Sequence, residues 1–391
     1  MRVLQVLTYY RPYISGYTIY VERLSRALAQ MGHQVTVLTS QYESQLPLRE
    51  TVEGVQIVRV PVAARVSKGV IMPSFGHVAR KLIREHDIVH THLPQFDAAG
   101  LAVNAKLLRK PSLLTYHCDI TLPPSAIKLA AQPVIEAMNQ IAARFVDCIV
   151  AYTDDYAKHS RLVAGQMHKV RVIPPPVEIP IPNEKDVHAF SAKWDVGGQP
   201  VIGMCARLAT EKGAEILADA LEIVRKTMPT AQVVFAGTYQ GVLGEEDYGR
   251  RILARVAALN AQDRCWTFTG PLRASELAAF YANNAVFVTP SLNSTESFGI
   301  AQVEAMMCGV PAISSALPGV RVPVQTTGMG CVVPIGDAAA LADAILNIVA
   351  DRERYVKPRT FVEGHYSTAK TATMYEDLYG ELISRSGIKS L

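Results

Sequence analysis

Val170-Arg171-Val172-Ile173-Pro174-Pro175-Pro176-Val177-Glu178-Ile179-Pro180-Ile181-Pro182 divides the chain, because five prolines in nine residues can continue neither a helix nor a central strand. A chain of 391 residues is too long for one ordinary core, so a domain of about 200 residues is expected on each side. The boundaries read as a first domain at 1–172, a linker at about 173–182, a second domain at 183–366 and a last helix at about 367–391.

Upstream of the break, Arg2 to Leu7 is a strand. A loop from Thr8 to Gly16 leads into a helix whose apolar positions Val21, Leu24, Leu28 and Met31 keep helical spacing before Gly32. Strands follow at Gln34 to Leu38, Val55 to Val60, Asp87 to Thr91, Ser112 to Tyr116 and Cys148 to Ala151, with helices near 74–85, 97–109, 126–144 and 154–163. Their unbroken apolar character predicts a parallel sheet covered on both faces. Asp154 and Asp155 read as a helix cap.

Downstream the alternation resumes with strands at 201–205, 232–236, 266–269, 285–289 and 312–315, and helices near 213–228, 247–259, 275–283 and 338–350. Both halves therefore read as α/β.

Hydrophobic residues make up 49% of the chain and charged residues 19%, a globular composition that leaves no case for disorder. The six cysteines are widely spaced without a CxxC pair and read as reduced core thiols of a cytoplasmic protein, not as zinc ligands or disulfides. No apolar run approaches the roughly 18 residues that span a bilayer, and the sequence enters a strand at once without a leader pattern. Net charge is +4 and uneven: residues 1–180 hold 20 Lys/Arg against 13 Asp/Glu. The clusters Arg65, Lys68, Arg80, Lys81, Arg84 and Lys106, Arg109, Lys110 mark a basic first domain, suited to peripheral contact with an anionic membrane surface or to a phosphorylated acceptor. Ordinary solvated helix faces are the other use of such charges. The charges are not interleaved with stacking aromatics, which excludes a nucleic-acid partner.

The chemistry concentrates in Pro290-Ser291-Leu292-Asn293-Ser294-Thr295-Glu296-Ser297-Phe298-Gly299-Ile300-Ala301-Gln302-Val303-Glu304-Ala305-Met306-Met307-Cys308-Gly309. Small polar residues after an apolar strand deliver Glu296 to the start of a short helix expected to stop at Gly309. The first amides of a helix lack internal partners, so those around Ser297, Phe298 and Gly299 form an anion-binding end beside Glu296. Glu304 is then expected roughly 12 Å further along the axis. Two carboxylates bracketing an anion-friendly helix end suit a nucleotide-sugar, although solvated helix charges are the common use of such a pair. Glu304, crowded by Val303, Ala305, Met306 and Met307, is expected to need a partner.

Glu296 and Glu304, with seven residues between them that include Phe298-Gly299, resemble the signature of the family-4 retaining glycosyltransferases. The resemblance extends to Gly203-Met204-Cys205-Ala206-Arg207-Leu208-Ala209-Thr210-Glu211-Lys212-Gly213, to Thr115-Tyr116-His117-Cys118-Asp119, and to the pattern from Tyr10-Arg11-Pro12 through Gly32-His33. It covers most of the chain and implies the GT-B fold: two Rossmann-like domains facing each other across a cleft, with the C-terminal helix returning to the first. Where many members carry two adjacent glycines, this chain has Gly16-Tyr17, which either crowds the donor phosphate or supplies a hydroxyl to it.

The resemblance further implies transfer of a sugar from a nucleoside-diphosphate-sugar to a hydroxyl acceptor, a glycan, lipid-linked or small molecule. The mechanism is front-face and retaining, with no metal and no cofactor. Negative charge that develops on the leaving diphosphate calls for positive charge nearby. Arg207 and Lys212 are the expected cations, with a surface ion pair to Glu211 as the alternative use of Arg207. Glu296 is expected to accept sugar hydroxyls and Glu304 the ribose diol, and the family places a His such as His117 against the donor sugar, although a lone His at a strand end is more often structural. Gly16, Ile300, Gly237, Pro271 and Leu272 are expected to line the donor, and Tyr17 and Asp119 the acceptor side. His90 and His92, two apart at a strand end, are expected on opposite faces and so not to share a metal. A nicotinamide-dependent dehydrogenase is disfavoured, because no GxGxxG follows the first strand. The competing readings are a sugar-nucleotide epimerase or a phosphorylase on the same architecture, and a non-catalytic nucleotide-sugar sensor.

Overall fold

A computed structural model describes residues 1–66, 69–119, 126–261 and 263–387. Lys68 and the last four residues of the expected C-terminal helix lie outside the described residues. The chain divides into two units, Met1–Pro176 with Tyr366–Leu391, and Val177–His365.

In the first unit the described strands form an eight-stranded sheet in the order Val170–Val172, Cys148–Ala151, Ser112–Tyr116, Ile88–Leu93, Arg2–Val6, Gln34–Gln41, Val55–Pro61, Arg49–Val52. All pairs are parallel except the last. Central strands such as Ile88–Leu93 and Ser112–Tyr116 are buried throughout, as strands in a two-sided sheet must be, and bury His90, His92 and Thr115 with their apolar neighbours. The chain starts mid-sheet, builds one half, then returns to build the other. The strand order thus reverses between Arg2–Val6 and Ile88–Leu93, and the loops leaving these two strands open a crevice at their carboxyl ends.

Helix Gly16–Gln30 begins in a capping box: the Ser15 hydroxyl accepts the Thr18 N–H at 3.2 Å, and the Thr18 hydroxyl accepts the Ser15 N–H at 2.7 Å. It buries Tyr20, Val21, Leu24 and Leu28, whereas Met31 lies past the helix end, 38% exposed. The last helix, Thr368–Arg385, packs on it and sends Tyr375 and Tyr379 into the sheet, both fully buried. At helix Asp154–His159 the cap is Thr153, which accepts the Tyr156 N–H at 3.0 Å. Asp154 and Asp155 occupy the first turn instead, where their charge suits the helix dipole.

The second unit repeats the plan with six parallel strands in the order Trp266–Gly270, Gln232–Ala236, Val201–Cys205, Val286–Thr289, Ala312–Ser315, Gly330–Val333. Its core joins Ile202, Leu217, Leu221, Phe235, Trp266, Val286 and Ile345. The order reverses between Val201–Cys205 and Val286–Thr289, which directs the loops at 206–213 and 290–299 to one place.

Several elements escape the sequence reading: edge strand Arg49–Val52, the hairpin strands Ala64–Val66 and Gly69–Ile71, strand Gly330–Val333, and helices Glu184–Trp194, Val322–Thr327 and Arg359–Tyr366. Most are short or carry a single buried position. Without a sustained apolar period, they give no signal.

Candidate active site

The two loops that leave the strand-order reversal of the second unit are bonded to each other. The Leu292 N–H donates to the Glu211 carbonyl at 2.9 Å, and Gly213, with φ 71°, comes so close to Pro290 that a Cβ would lie 2.2 Å from its carbonyl oxygen. Only glycine allows both the left-handed backbone and that approach. On the other side, Ala206 and Leu208 donate to the carbonyls of Ala236 (3.0 Å) and Thr238 (2.8 Å), and a Cβ on Gly237 would lie 2.2 Å from the Ala206 oxygen. Gly237, expected to line the donor, is thus also what lets these loops close together.

Held by this frame, the Lys212 ammonium lies 2.5 Å from Glu296 Oε2, and the other carboxylate oxygen accepts the Gly299 N–H at 3.0 Å. Burial alone would lower the Lys212 pKa, but the charge and hydrogen bond of Glu296 outweigh it and leave it raised. Arg207, 41% exposed, donates to Glu211 at 3.0 Å, the ion pair weighed as its alternative use, and its charge acts on Lys212. Thr210 ties the same loop to Glu245 through its N–H (3.0 Å) and hydroxyl (2.7 Å). Two cations and two carboxylates therefore meet at the crevice in balanced charge.

The short helix runs from Ile300 to Met307, with left-handed Gly299 as its cap residue. This corrects the expectation that Glu296 opens the helix: Glu296 stands in the preceding loop, so axial rise does not set its spacing from Glu304. One of the three expected anion-binding amides, that of Gly299, is already committed to Glu296. Ser297 and Phe298 are buried and Ile300 half-buried. The helix stops as expected beside Gly309, where the Val310 N–H returns to the Ala305 carbonyl at 3.0 Å.

Glu304 is 5% exposed and accepts the Tyr281 hydroxyl at 2.9 Å. Burial pushes the neighbouring Cys205 thiol up to about 12, with the Glu304 charge adding to the effect. Lys212 also acts on Cys205, so the carboxylate and the ammonium flank one strand end. Tyr281 is a site residue that the sequence reading missed, because in the apolar helix Ala274–Ala282 it reads as core. Leu272 is half-buried and Pro271 exposed, just beyond strand Trp266–Gly270. On that strand Phe268 is stacked by Tyr239, with ring centroids 4.6 Å apart.

In the first unit, His117 leaves the end of strand Ser112–Tyr116 only 5% exposed. Its Nε2 lies 3.0 Å from His92 Nδ1, and its Nδ1 is hydrogen-bonded to the Tyr152 hydroxyl. Burial lowers its pKa to about 3, so the ring is neutral. Both ring nitrogens have internal partners, which is the structural use of such a residue. Tyr17 lies edge-on to this ring, centroids 4.7 Å apart at 84°. Its hydroxyl accepts the Thr8 N–H at 3.4 Å and donates to the His92 carbonyl at 3.3 Å, so the Tyr17 hydroxyl is engaged by backbone. Gly16 is exposed at the helix start, with open space where a Cβ would stand. Asp119 is buried and accepts the hydroxyls of Tyr116 (2.9 Å) and Ser160 (3.0 Å), which satisfies it internally.

His90 and His92 share a face, contrary to expectation. Residues two apart on a strand point the same way, and these rings are 4.1 Å apart. Each ring nitrogen of the pair nonetheless meets an oxygen or another imidazole of the network. Elsewhere in this unit a cavity of about 440 Å³ lies against Tyr10, Glu22, Arg26, Glu50 and Glu53. Arg11–Glu22 and Arg26–Glu53 pair across its wall.

A sucrose-phosphate synthase from Thermosynechococcus elongatus has a similar structure, with TM-score 0.77 at 22% identity over 98% of this chain and 99% of that one. Two α/β units with the same central reversal, together with this likeness, define the GT-B fold. Residues 14–179 match Glycosyltransferase Family 4, and residues 187–362 match Glycosyl transferases group 1. The chain belongs to the family-4 glycosyltransferases. Its relatives include a D-inositol 3-phosphate glycosyltransferase of Xylanimonas cellulosilytica, 27% identical over 95% of this chain and 92% of the relative. A GDP-mannose-dependent alpha-mannosyltransferase of Mycolicibacterium smegmatis is 28% identical over 91% and 90%. No helix among the described residues is long and apolar enough to cross a membrane.

Proposed function

We propose that the chain transfers a sugar from a nucleoside-diphosphate-sugar to a hydroxyl acceptor with retention of anomeric configuration and without a metal ion. The observation that carries this reading is the Lys212–Glu296 pair at the strand-order reversal of the second unit. A diphosphate entering there draws Lys212 and Arg207 away from their carboxylates, and their charge then meets the oxygen that becomes negative as the anomeric bond breaks. Arg207 offers a planar fork and Lys212 a compact point charge. Glu296, released from Lys212, accepts sugar hydroxyls, and Glu304 accepts the ribose diol. Ser297, Phe298, Gly299 and Ile300 meet the phosphates, and Gly237, Pro271 and Leu272 the nucleoside.

Neither glutamate acts as a nucleophile in this reading, and the leaving phosphate assists deprotonation of the acceptor. In this reading Gly16 and His117 meet the donor, and Tyr17 and Asp119 the acceptor. A relative named for GDP-mannose supports a nucleotide-sugar donor, and one named for D-inositol 3-phosphate supports a polyhydroxylated acceptor. Exposed Arg80, Lys81 and Arg84 on helix Phe75–Glu85 support peripheral contact with anionic lipid, which sedimentation with anionic vesicles tests.

A thermal-shift panel of nucleoside-diphosphate sugars selects the donor, since a ligand at 100 times its dissociation constant adds about 2.7 kcal/mol. Incubation with candidate acceptors then follows release of the nucleoside diphosphate and the anomeric form of the product, with and without chelator. Acceptor-dependent release with a retained anomer is expected. Donor binding without transfer to any acceptor points to a sensor. A covalent sugar on Glu296 overturns the front-face mechanism, and loss of activity in chelator overturns metal independence.

A further inference from the structure

Beneath His117 the first unit holds a continuous chain of buried hydrogen bonds that runs through three strands into the last helix. His117 Nε2 meets His92 Nδ1 (3.0 Å), and His92 Nε2 meets Gln5 Oε1 (2.6 Å). Gln5 Nε2 meets the Tyr379 hydroxyl (3.2 Å), which meets His90 Nδ1 (2.7 Å). His90 Nε2 meets the Thr115 hydroxyl (2.7 Å), followed by Tyr375 (2.7 Å) and Tyr20 (2.6 Å). Gln5, His90, His92 and Thr115 are all 0% exposed.

The direction of the bonds from Gln5 to His117 follows from one amide. Gln5 Oε1 can only accept, so His92 Nε2 carries the proton and His92 Nδ1 is a lone pair. His117 Nε2 must then be the donor to it, which leaves His117 Nδ1 to accept the Tyr152 hydroxyl. On the other side Gln5 Nε2 can only donate, so the Tyr379 hydroxyl accepts from it and keeps its own proton for His90 Nδ1, in which case His90 Nε2–H donates to Thr115. Turning the Gln5 amide by 180° reverses the whole chain and puts the His117 proton on Nδ1. The two polarities are mutually exclusive, and the structure has Gln5 Nε2 on Tyr379 and Oε1 on His92, which selects the first.

We propose that Gln5, His92 and Tyr379 are positioning residues that fix His117 as its Nε2–H tautomer, so that the last helix sets the proton arrangement and ring orientation of the His117–Tyr17 pair. The effect on turnover rests on the transferase reading given above; the tautomer does not.

The test is long-range proton–nitrogen NMR of the full chain labelled with ¹⁵N-histidine, with His117 assigned by its loss in His117→Gln. One tautomer protonated at Nε2 is expected in the unaltered protein. Tyr379→Phe keeps the ring but removes the hydroxyl, so a second His117 tautomer is expected, with transfer kcat lowered about 10- to 100-fold and the donor KM unchanged. Gln5→Met, which removes both the acceptor and the donor, is expected to do the same if Tyr379→Phe does not fold. A His117 proton on Nδ1 in the unaltered protein overturns the proposal, as does an unchanged tautomer in both variants. The assigned tautomer in a protein that transfers no sugar leaves the hydrogen-bond assignment standing and removes the transferase reading.

Discussion

The Lys212 ammonium and the Glu296 carboxylate, on loops 84 residues apart in sequence, lie 2.5 Å from each other, and each retains less than a fifth of its side-chain surface. Lys212→Ala removes the more enclosed of the two cations and leaves Glu296 with the Gly299 amide. Transfer kcat is expected to fall about 100-fold, the scale for one preorganised charge-stabilising donor. Lys212→Arg should not restore it, because a planar guanidinium does not fit where a point charge is held. Arg207→Ala, at a position 41% exposed, should lower kcat by less. Equal kcat in all three variants would remove this loop from the chemistry.

Gly213→Ala should loosen the same site from behind. Left-handed backbone costs a non-glycine residue about 1–2 kcal/mol, and the added Cβ meets the Pro290 carbonyl. Chemical denaturation should show at least that loss, and the same variant should bind donor more weakly, because the Lys212 loop shifts. Unaltered stability contradicts the close approach of the two loops.

Tyr281→Phe removes a hydroxyl that donates to a carboxylate 5% exposed. A buried acceptor deprived of a donor costs about 1–3 kcal/mol. The variant should melt earlier without donor, and saturating donor should recover part of the loss if ribose hydroxyls replace the phenol. Equal loss with and without donor separates Glu304 from the donor.

Stability should depend on pH through the buried imidazoles. Burial, the dominant cause at each ring, holds His90 and His92 well below their ordinary pKa and His117 at about 3. The unfolded chain therefore binds more protons once pH drops beneath about 6.5. Stability is full above that value and declines as pH falls, by up to about 1.4 kcal/mol per pH unit for each ring. Urea unfolding at pH 7, 6 and 5 measures the slope. A flat profile over that range contradicts three neutral buried histidines.

The alternation of apolar runs made the two parallel sheets legible, because a strand buried on both faces such as Ser112–Tyr116 has only one reading. The carboxylates and cations of the second unit were legible from their place at strand ends. The Arg207–Glu211 pair, four residues apart in one loop, was legible too. Glu296, in contrast, neutralises Lys212 only because Gly213 lets two distant loops touch, and sequence spacing carries no record of that contact. Tyr281, Tyr375 and Tyr379 read as apolar helix positions, since a tyrosine looks the same in sequence whether or not its hydroxyl meets a partner. The shared face of His90 and His92 is legible, because residues two apart on a strand point the same way.

Because the first unit includes residues at both extremities of the chain, it is interrupted by the whole second unit, Val177–His365. At a synthesis rate of about 5–20 residues per second, the ribosome needs on the order of tens of seconds after Pro176 to deliver Tyr375 and Tyr379. Until then Gln5 and His90 lack the phenols that complete their bonding. The second unit is contiguous and can mature during that interval, so the portion made first is the portion finished last.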